Sequence, residues 1–366
     1  MPRILHIVPS LKLDGATKLL ALLATELPGI GFDSEIIALQ ATRSASEMLH
    51  GNGIGPKVIR WRGTLDAIAF WRMLQRIRRH KPDIVHLWSM KRGGYAALLA
   101  TRTAGVRRIV VSLRPPDGRK YNGPRASCRW LEKRADRFIV NGSAAGDAVA
   151  TWGISSDKFA TIPAAVAPFV KSLISRQELL AELKLPTDAK LIAYLGPLTK
   201  EKRLKELIWA IDQLKAVGVT AHLVVVGEGP LRGALERYCW LNRVEDQVHF
   251  LGFQDDIARL LSHIDVLWEA GAGEEHSDAI LEAMSAGIPV VAADALGNRE
   301  LVLSGETGYL VPQQERAGFA RCTLPLLENP ELAGELGAAG RRRAMQFYRV
   351  DEMVARYAEL YRQLLE

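Results

Sequence analysis

The sequence predicts an α/β protein built from two Rossmann-like domains, each a parallel sheet covered by helices. Its 366 residues exceed what one hydrophobic core usually spans and indicate two domains of roughly 150–200 residues each. Short apolar runs alternate with longer amphipathic segments along the chain, which is typical of βαβ units. The alternation restarts after a Pro- and Ala-rich stretch at residues 162–168, where we place the boundary between the domains.

The first half of the chain supplies one set of alternating elements. Apolar runs bounded by turn residues predict strands at residues 3–8, 35–39, 57–59, 84–87, 109–113 and 137–140. Apolar residues at helical spacing predict the helices between them, at residues 16–27, 64–79, 93–104 and 144–152.

The second half repeats the scheme. Strands are predicted at residues 191–195, 222–226, 248–251, 266–268 and 289–292, with helices at 204–217, 231–241, 255–263 and 279–286. From about residue 328 the chain reads as helix only. We therefore predict one domain at residues 1–166, a second at 167–345, and a C-terminal helix at about 346–366 that packs back on the first. The domains are expected to face each other across a cleft, with ligands beyond the carboxyl ends of the strands.

Composition narrows the functional classes. A hydrophobic content of 48% with 24% charged residues is that of an ordinary globular protein and excludes a disordered chain. The longest run without Asp, Glu, Lys or Arg is 12 residues, whereas a membrane-spanning helix needs about 20. The three cysteines, Cys128, Cys239 and Cys322, are isolated and lack metal spacing. These features predict a cytoplasmic protein.

Charge is distributed unevenly along the chain. Residues 1–170 hold 26 Lys and Arg against 12 Asp and Glu, a net of +14, and the remainder holds 22 against 29, a net of −7. The first half is therefore expected to meet an anionic partner, and an anionic membrane surface or a phosphorylated acceptor fits. Nucleic acid is not expected, because no reader motif is evident. A basic face that is merely solvated is the alternative.

The strongest chemical signal lies at residues 274–291, where a small polar loop leads from a strand into a helix. Ser277 is placed to cap that helix, and its first backbone N–H groups suit a diphosphate because a helix N-terminus carries partial positive charge. Glu274 precedes the helix and Glu282 lies inside it, so both carboxylates are candidates to accept hydrogen bonds from sugar hydroxyls. Two solvent-facing glutamates are the alternative. The predicted N–H donors belong to Asp278, Ala279 and Ile280.

Three strand-to-helix turns add weaker signals. The basic turn at residues 196–203 brings Lys202 and Arg203 to the end of a strand, where either cation can neutralise a diphosphate. The turn containing Gly227 and Glu228 allows the backbone to approach a ligand closely. Near the start of the chain, Gly15 belongs to a third anion-binding turn.

Together these segments resemble the retaining family-four glycosyltransferases of the GT-B architecture, over nearly the whole chain. The most specific part is a Glu-x7-Glu motif, Glu274 to Glu282, followed by Ala-Met-x-Ala-Gly-x-Pro-Val-Val. Supporting segments are Pro-Asp-Ile-Val-His at 82–86, Gly-Glu-Gly-Pro at 227–230, Leu-Gly-Phe at 251–253, Gly-Asn-Arg-Glu-Leu at 297–301 and the stretch at 305–312.

The resemblance implies a specific reaction. Such enzymes bind a nucleoside diphosphate sugar mainly to the second domain and the acceptor mainly to the first. They transfer the sugar with retention of configuration, usually without a metal or another cofactor. By the same resemblance, Glu274 contacts the donor sugar, Glu282 the ribose and Lys202 the diphosphate. The backbone at Gly252 and Phe253 flanks the base.

Several positions depart from the family pattern. Arg114 stands where a histidine normally touches the donor sugar, which implies an altered sugar contact, a contact to an acceptor phosphate, or lost activity. Pro197 replaces an arginine of the basic turn, Asp14 replaces a glycine of the first loop, and Glu275 replaces the glycine after the first glutamate. These departures motivate a second interpretation, a catalytically inactive protein that binds a sugar nucleotide or a protein partner.

The sequence thus predicts a glycosyltransferase of cell-surface polysaccharide or glycolipid synthesis, with Glu274 and Arg114 as catalytic residues. We expect an anionic or lipid-linked acceptor at the inner face of the membrane. Five basic residues at positions 72–81 lie on a predicted helix that also carries Phe70 and Trp71, which is typical of an interfacial helix. A core-packed helix with a solvated basic face is the favoured alternative. His86 and Trp268 are expected to be structural.

Overall fold

A computed structural model of the chain describes residues 1–12, 15–63, 66–90, 93–113, 125–271, 273, 276–315 and 317–366. The chain divides into two compact units. Unit 1 comprises Met1–Ala164 and Val350–Glu366, and unit 2 comprises Ala165–Arg349. The C-terminal segment therefore belongs to the same unit as the N-terminal segment.

Each unit contains one parallel sheet. The strands of unit 1 are β1 (Arg3–Val8), β2 (Asp33–Ala38), β3 (Lys57–Val58), β4 (Ile84–Leu87), β5 (Arg108–Ser112), β6 (Arg137–Val140) and β7 (Phe159–Thr161). Those of unit 2 are β8 (Lys190–Leu195), β9 (Ala221–Val226), β10 (Val248–Gly252), β11 (Val266–Glu269), β12 (Val290–Ala293) and β13 (Gly308–Val311). The order is β3-β2-β1-β4-β5-β6-β7 in the first sheet and β10-β9-β8-β11-β12-β13 in the second. Both orders are doubly wound and reverse between a unit's first and fourth strands.

Helices connect the strands, as parallel pairing requires. In unit 1 the strands alternate with α1 (Gly15–Glu26), α2 (Arg43–Gly51), α3 (Ala67–His80), α4 (Gly94–Thr103), α5 (Arg125–Glu132) and α6 (Ser143–Ala150). Unit 2 contains α7 (Arg176–Glu182), α8 (Leu204–Ala216), α9 (Arg232–Leu241), α10 (Ile257–Leu261), α11 (Asp278–Ala286), α12 (Leu296–Leu301), α13 (Gly318–Glu328) and α14 (Pro330–Phe347). The last helix, α15 (Val350–Leu365), returns to unit 1.

The predicted two-sheet α/β architecture is confirmed, and every predicted strand is present with bounds that differ by at most two residues. Two strands were not predicted, β7 and β13. Both are short edge strands of three and four residues whose side chains are partly exposed. The central strands β1, β4, β9 and β11 are almost wholly buried, which explains why their apolar runs were recognisable.

Helix α3 packs as the alternative interpretation predicts, with one exception. Ala69, Met73, Leu74 and Ile77 are buried against the sheet. Trp71 does not join them, because it is 59% exposed. The helix therefore buries one face and carries the Trp71 indole on its solvent-exposed face.

A buried polar cluster joins α15 to the centre of the first sheet. His86 lies within hydrogen-bonding distance of the Tyr361 hydroxyl and the Ser112 hydroxyl, at 2.8 Å each. The Trp88 indole N–H donates to Nδ1 of His6 at 3.1 Å, so that nitrogen must be unprotonated. Burial lowers the pKa of His6 to about 3, and burial together with the neighbouring His6 lowers the pKa of His86 well below its usual range. Both imidazoles are therefore neutral in the folded protein.

This cluster makes the stability of the protein sensitive to mild acid. Folding lowers the pKa values of His6 and His86, so below about pH 6.5 the unfolded chain binds more protons than the folded protein. The free energy of unfolding therefore decreases as the pH is lowered. We expect the free energy of unfolding to drop by about 1.4 kcal/mol per buried histidine between pH 7.5 and 5.5. Urea unfolding at the two pH values measures this drop.

A substitution at His86 separates this contribution from other titrations. His86→Gln should lower stability at pH 7.5 yet reduce the drop by about 1.4 kcal/mol. His50→Gln is the matched control, because His50 is exposed at the end of α2 and should leave the drop unchanged. Equal drops in the wild-type and His86→Gln proteins would contradict the explanation.

Candidate functional site

Polar residues of unit 2 gather at the carboxyl ends of β8 and β11, the point where the strand order reverses. Such a point is where open parallel sheets bind ligands, because the connections on its two sides leave in opposite directions. Beside it lie the turn after β8, the turn after β9, the end of β10 and the start of α11. These segments contain the donor-binding residues predicted for unit 2.

Glycines bring three strand ends into backbone contact. Gly227 donates its N–H to the Gly252 carbonyl at 2.8 Å, and Gly196 donates to the Val226 carbonyl at 2.9 Å. A Cβ on Gly227 would lie 2.0 Å from the Gly196 carbonyl oxygen, and Gly227 has a φ of 132°. Only glycine satisfies both conditions, so this close approach depends on the residue type.

The basic turn places Lys202 over the end of β11. Lys202 ends a short 3-10 turn, Lys200–Lys202, and its Nζ lies 3.3 and 3.4 Å from the two carboxylate oxygens of Glu269. Glu269 is only 1% exposed. Its carboxylate also accepts the Gly271 N–H at 2.8 Å and the Ser277 hydroxyl at 2.8 Å. A single buried carboxylate thus contacts the basic turn, the loop after β11 and the start of α11.

Helix α11 begins as predicted but is capped differently. Ser277 occupies the N-cap position with an extended backbone, yet its side chain makes no capping bond and instead is turned toward Glu269, to which the hydroxyl donates. Asp278, Ala279 and Ile280 form the first turn, where backbone N–H groups and the helix dipole favour an anion. Glu282 lies just beyond this turn and is half-buried.

The remaining charged candidates of unit 2 are engaged in ion pairs. The Arg203 guanidinium donates to both carboxylate oxygens of Glu206, at 2.8 and 2.7 Å, and to the Gln313 carbonyl at 2.6 Å. Glu228 pairs with Arg232 on α9. The proposed base-flanking residue Phe253 is 57% exposed, so its ring is available to a ligand.

Of the three remaining predicted residues, one lies in unit 1 and two lie outside the described residues. Gly15 is the first residue of α1 in unit 1. Glu274 and Arg114, predicted as catalytic, lie outside the described residues.

The structure also reveals partners that sequence reasoning missed. The contacts of Glu269 with Lys202 and Ser277 were not foreseen. The only signal was an acidic residue ending an otherwise apolar strand. His276 is buried, and its Nε2 lies 2.8 Å from a carboxylate oxygen of Glu300. Nothing in the sequence pattern links these two residues.

In the described ranges, no three His, Cys, Asp or Glu side chains are grouped as metal ligands. Across those same parts of the chain, no helix combines the length and apolar character needed to cross a bilayer.

Comparison with known proteins adds family relationships. A family model described as "Glycosyltransferase Family 4" matches residues 13–168, and one described as "Glycosyl transferases group 1" matches residues 175–343. The chain is 28% identical over 188 residues to N-acetyl-alpha-D-glucosaminyl L-malate synthase of Bacillus anthracis, a match to 51% of this chain and 49% of that protein. It is 30% identical over 255 residues to the GDP-mannose-dependent alpha-mannosyltransferase of Mycobacterium tuberculosis, covering 67% and 64%. The chain thus spans about half of the first relative and just under two thirds of the second.

The fold has full-length counterparts. The crystal structure of Anabaena Alr3699/HepE in complex with UDP and glucose matches with a TM-score of 0.88 over 99% of this chain and 100% of that one, at 20% sequence identity. The two family models and this shared fold show that the chain belongs to the family-four glycosyltransferases of the GT-B fold.

Proposed function

We propose that the chain is a retaining glycosyltransferase that moves a sugar from a nucleoside diphosphate sugar to an acceptor, without a metal or another cofactor. The observation that carries the proposal is the convergence of the Lys202 ammonium and the N-terminus of α11 at the switch point of unit 2. Both favour negative charge, and the leaving group of this reaction is a diphosphate. Similar crystal structures hold UDP with glucose and UDP-glucose, which supports a nucleotide-sugar donor.

The reaction requires two contributions from the protein. The growing charge on the leaving diphosphate must be stabilised, and the acceptor hydroxyl must be held near the sugar carbon. We assign the first task to Lys202 and the first turn of α11. By family resemblance, Glu282 binds the ribose, Glu274 contacts the donor sugar, and Arg114 contacts either the sugar or an acceptor phosphate.

The acceptor side of the proposal comes from relatives. One similar protein carries the name lipopolysaccharide core biosynthesis glycosyltransferase LpsE, and another is a putative colanic acid biosynthesis glycosyltransferase. We propose that this chain likewise serves cell-surface polysaccharide or glycolipid synthesis, with an anionic or lipid-linked acceptor, at the cytoplasmic face of the membrane.

The donor site is tested first by nucleotide binding. In a thermal-shift titration with UDP, GDP, ADP and dTDP, we expect one nucleotide to stabilise the protein by about 2.7 kcal/mol at a hundredfold excess over its Kd.

Glu282→Ala should weaken this binding at least tenfold, because it removes a partner of the ribose hydroxyls. Glu274→Ala should reduce turnover more than it reduces affinity.

The outcomes separate the two interpretations of the sequence. Nucleotide binding without donor hydrolysis or transfer would favour the inactive binding protein. Near-normal transfer by both glutamate variants would refute the site assignment. The panel also identifies the base, which the residues alone do not fix.

We further propose that unit 1 contacts an anionic membrane through α3, α4 and α5. These helices pack on one face of the first sheet. Their outer side exposes large apolar groups: Ile68 is 66% exposed, Trp71 59%, Tyr95 39% and Leu99 46%. Exposed cations on the same helices, Arg72 and Arg79 among them, complement an anionic lipid surface.

Vesicle flotation tests this contact. The protein should bind phosphatidylglycerol-containing vesicles more tightly than phosphatidylcholine vesicles and lose binding as salt rises. The double variant Ile68→Ser/Trp71→Ser should bind at least tenfold more weakly, because each side chain contributes more than 1 kcal/mol when buried in the interface. Trp240→Ser is the matched control, since Trp240 of unit 2 is 66% exposed. Equal binding to both vesicle types, or equal losses in the two variants, would contradict the proposal.

A further inference from the structure

Glu269 is an unusual residue for its position. It ends β11 after Val266, Leu267 and Trp268, all of which are fully buried, and it is itself 1% exposed. A buried carboxylate is costly unless cations and hydrogen-bond donors surround it. A hydrophobic residue of similar size would serve the strand equally well, so the acid calls for an explanation beyond packing.

The partners of Glu269 all come from the candidate donor site. They are the Lys202 ammonium from the turn after β8, the Gly271 N–H from the loop after β11, and the Ser277 hydroxyl at the start of α11. Gly271 is packed tightly against this carboxylate. A Cβ on Gly271 would lie 2.7 Å from Oε1 of Glu269 and 3.1 Å from Nζ of Lys202.

These contacts have two consequences for a bound anion. First, a lysine side chain has four rotatable bonds, and the carboxylate restricts the ammonium to one region before any ligand arrives. Second, the Ser277 side chain is turned toward Glu269 and makes no capping bond to α11, so it does not compete with an anion for the N–H groups of that helix. The carboxylate also offsets the charge of Lys202, so ground-state attraction for a diphosphate is reduced.

We propose that Glu269 is a positioning residue that acts through Lys202, holding the ammonium where charge develops on the leaving diphosphate. The inference rests on the proposed function and adds a residue to it. A fixed ammonium stabilises the transition state more than the ground state, so the carboxylate should favour turnover over affinity.

Glu269→Gln tests the proposal because it keeps the size of the side chain and removes the charge. With UDP-glucose and GDP-mannose as donor probes, we expect kcat for donor hydrolysis to fall at least tenfold. The Kd of the intact nucleotide sugar, which is the ground state of the reaction, should stay within threefold of the wild-type value or become tighter. A merely structural residue would not produce this division between kcat and affinity.

A double-mutant cycle with Lys202→Met tests whether Glu269 acts through the lysine. Adding Glu269→Gln to Lys202→Met should change kcat by less than twofold, because the ammonium to be positioned is gone. The double variant also leaves neither charge buried alone, so it remains informative if a single variant folds poorly. Gly271→Ala provides a further check, since it displaces the same pair without changing any charge and should also lower kcat.

Asp265→Asn is the matched control on the same strand. Asp265 precedes β11 at its opposite end, where its carboxylate pairs with Arg176 at 2.7 Å and accepts the Leu191 N–H at 2.7 Å. Loss of this carboxylate charge should lower the melting temperature and leave kcat within twofold of the wild-type value.

Four results would overturn the proposal. A Glu269→Gln enzyme with wild-type kcat, or independent multiplicative losses in the cycle, would refute the role of Glu269 and leave the proposed function intact. A wild-type protein that binds no nucleoside diphosphate, or binds one without any turnover, would refute the proposed function and this inference together.

Discussion

The strands at the centre of both sheets are buried on both faces, and this burial determines where polar groups of the protein can lie. A parallel sheet covered by helices has no solvent-exposed face. Side chains that bind a solvated ligand must therefore come from the strand ends and the turns beyond them. In unit 2 those turns meet where the strand order reverses, and Gly227 lets two of them touch through their backbones. The geometry of the candidate donor site therefore follows from the sheet.

Polar side chains do enter the buried region, and the two units accommodate them differently. In unit 1, His6 and His86 remain neutral, and Trp88, Ser112 and Tyr361 supply their hydrogen bonds. That arrangement ties α15 to the first sheet and makes stability depend on pH. In unit 2, Glu269 meets an ammonium and two hydrogen-bond donors that all belong to the candidate site. The first cluster maintains the fold, whereas the second connects the fold to the proposed chemistry.

Much of this organisation could be predicted from the sequence, because buried parallel strands produce apolar runs and helices produce their own period. The start of α11 was predictable for the same local reason, since Ser277 stands where a small polar loop enters an apolar helix. The Lys202–Glu269 contact was not, because its partners are 67 residues apart and no local pattern pairs a basic turn with an acid that ends a distant strand. Exposure of Trp71 was missed because an aromatic residue on an amphipathic helix ordinarily indicates the buried face.

The charge balance of unit 2 explains what kind of recognition this site can use. Unit 2, residues 165–349, holds 20 Lys and Arg against 25 Asp and Glu, a net of −5, so long-range attraction would not draw an anionic donor to it. Near the site, Lys202 is matched by Glu269, Arg203 by Glu206, and Arg232 by Glu228. Such ion pairs contribute oriented dipoles but no net charge, and the backbone at the start of α11 contributes a further dipole. Recognition must therefore depend on short-range contacts, which form only when the diphosphate has reached the site. A site of this kind gains little from holding its donor in the ground state, and it can concentrate its electrostatic effect on the charge that forms as the sugar departs.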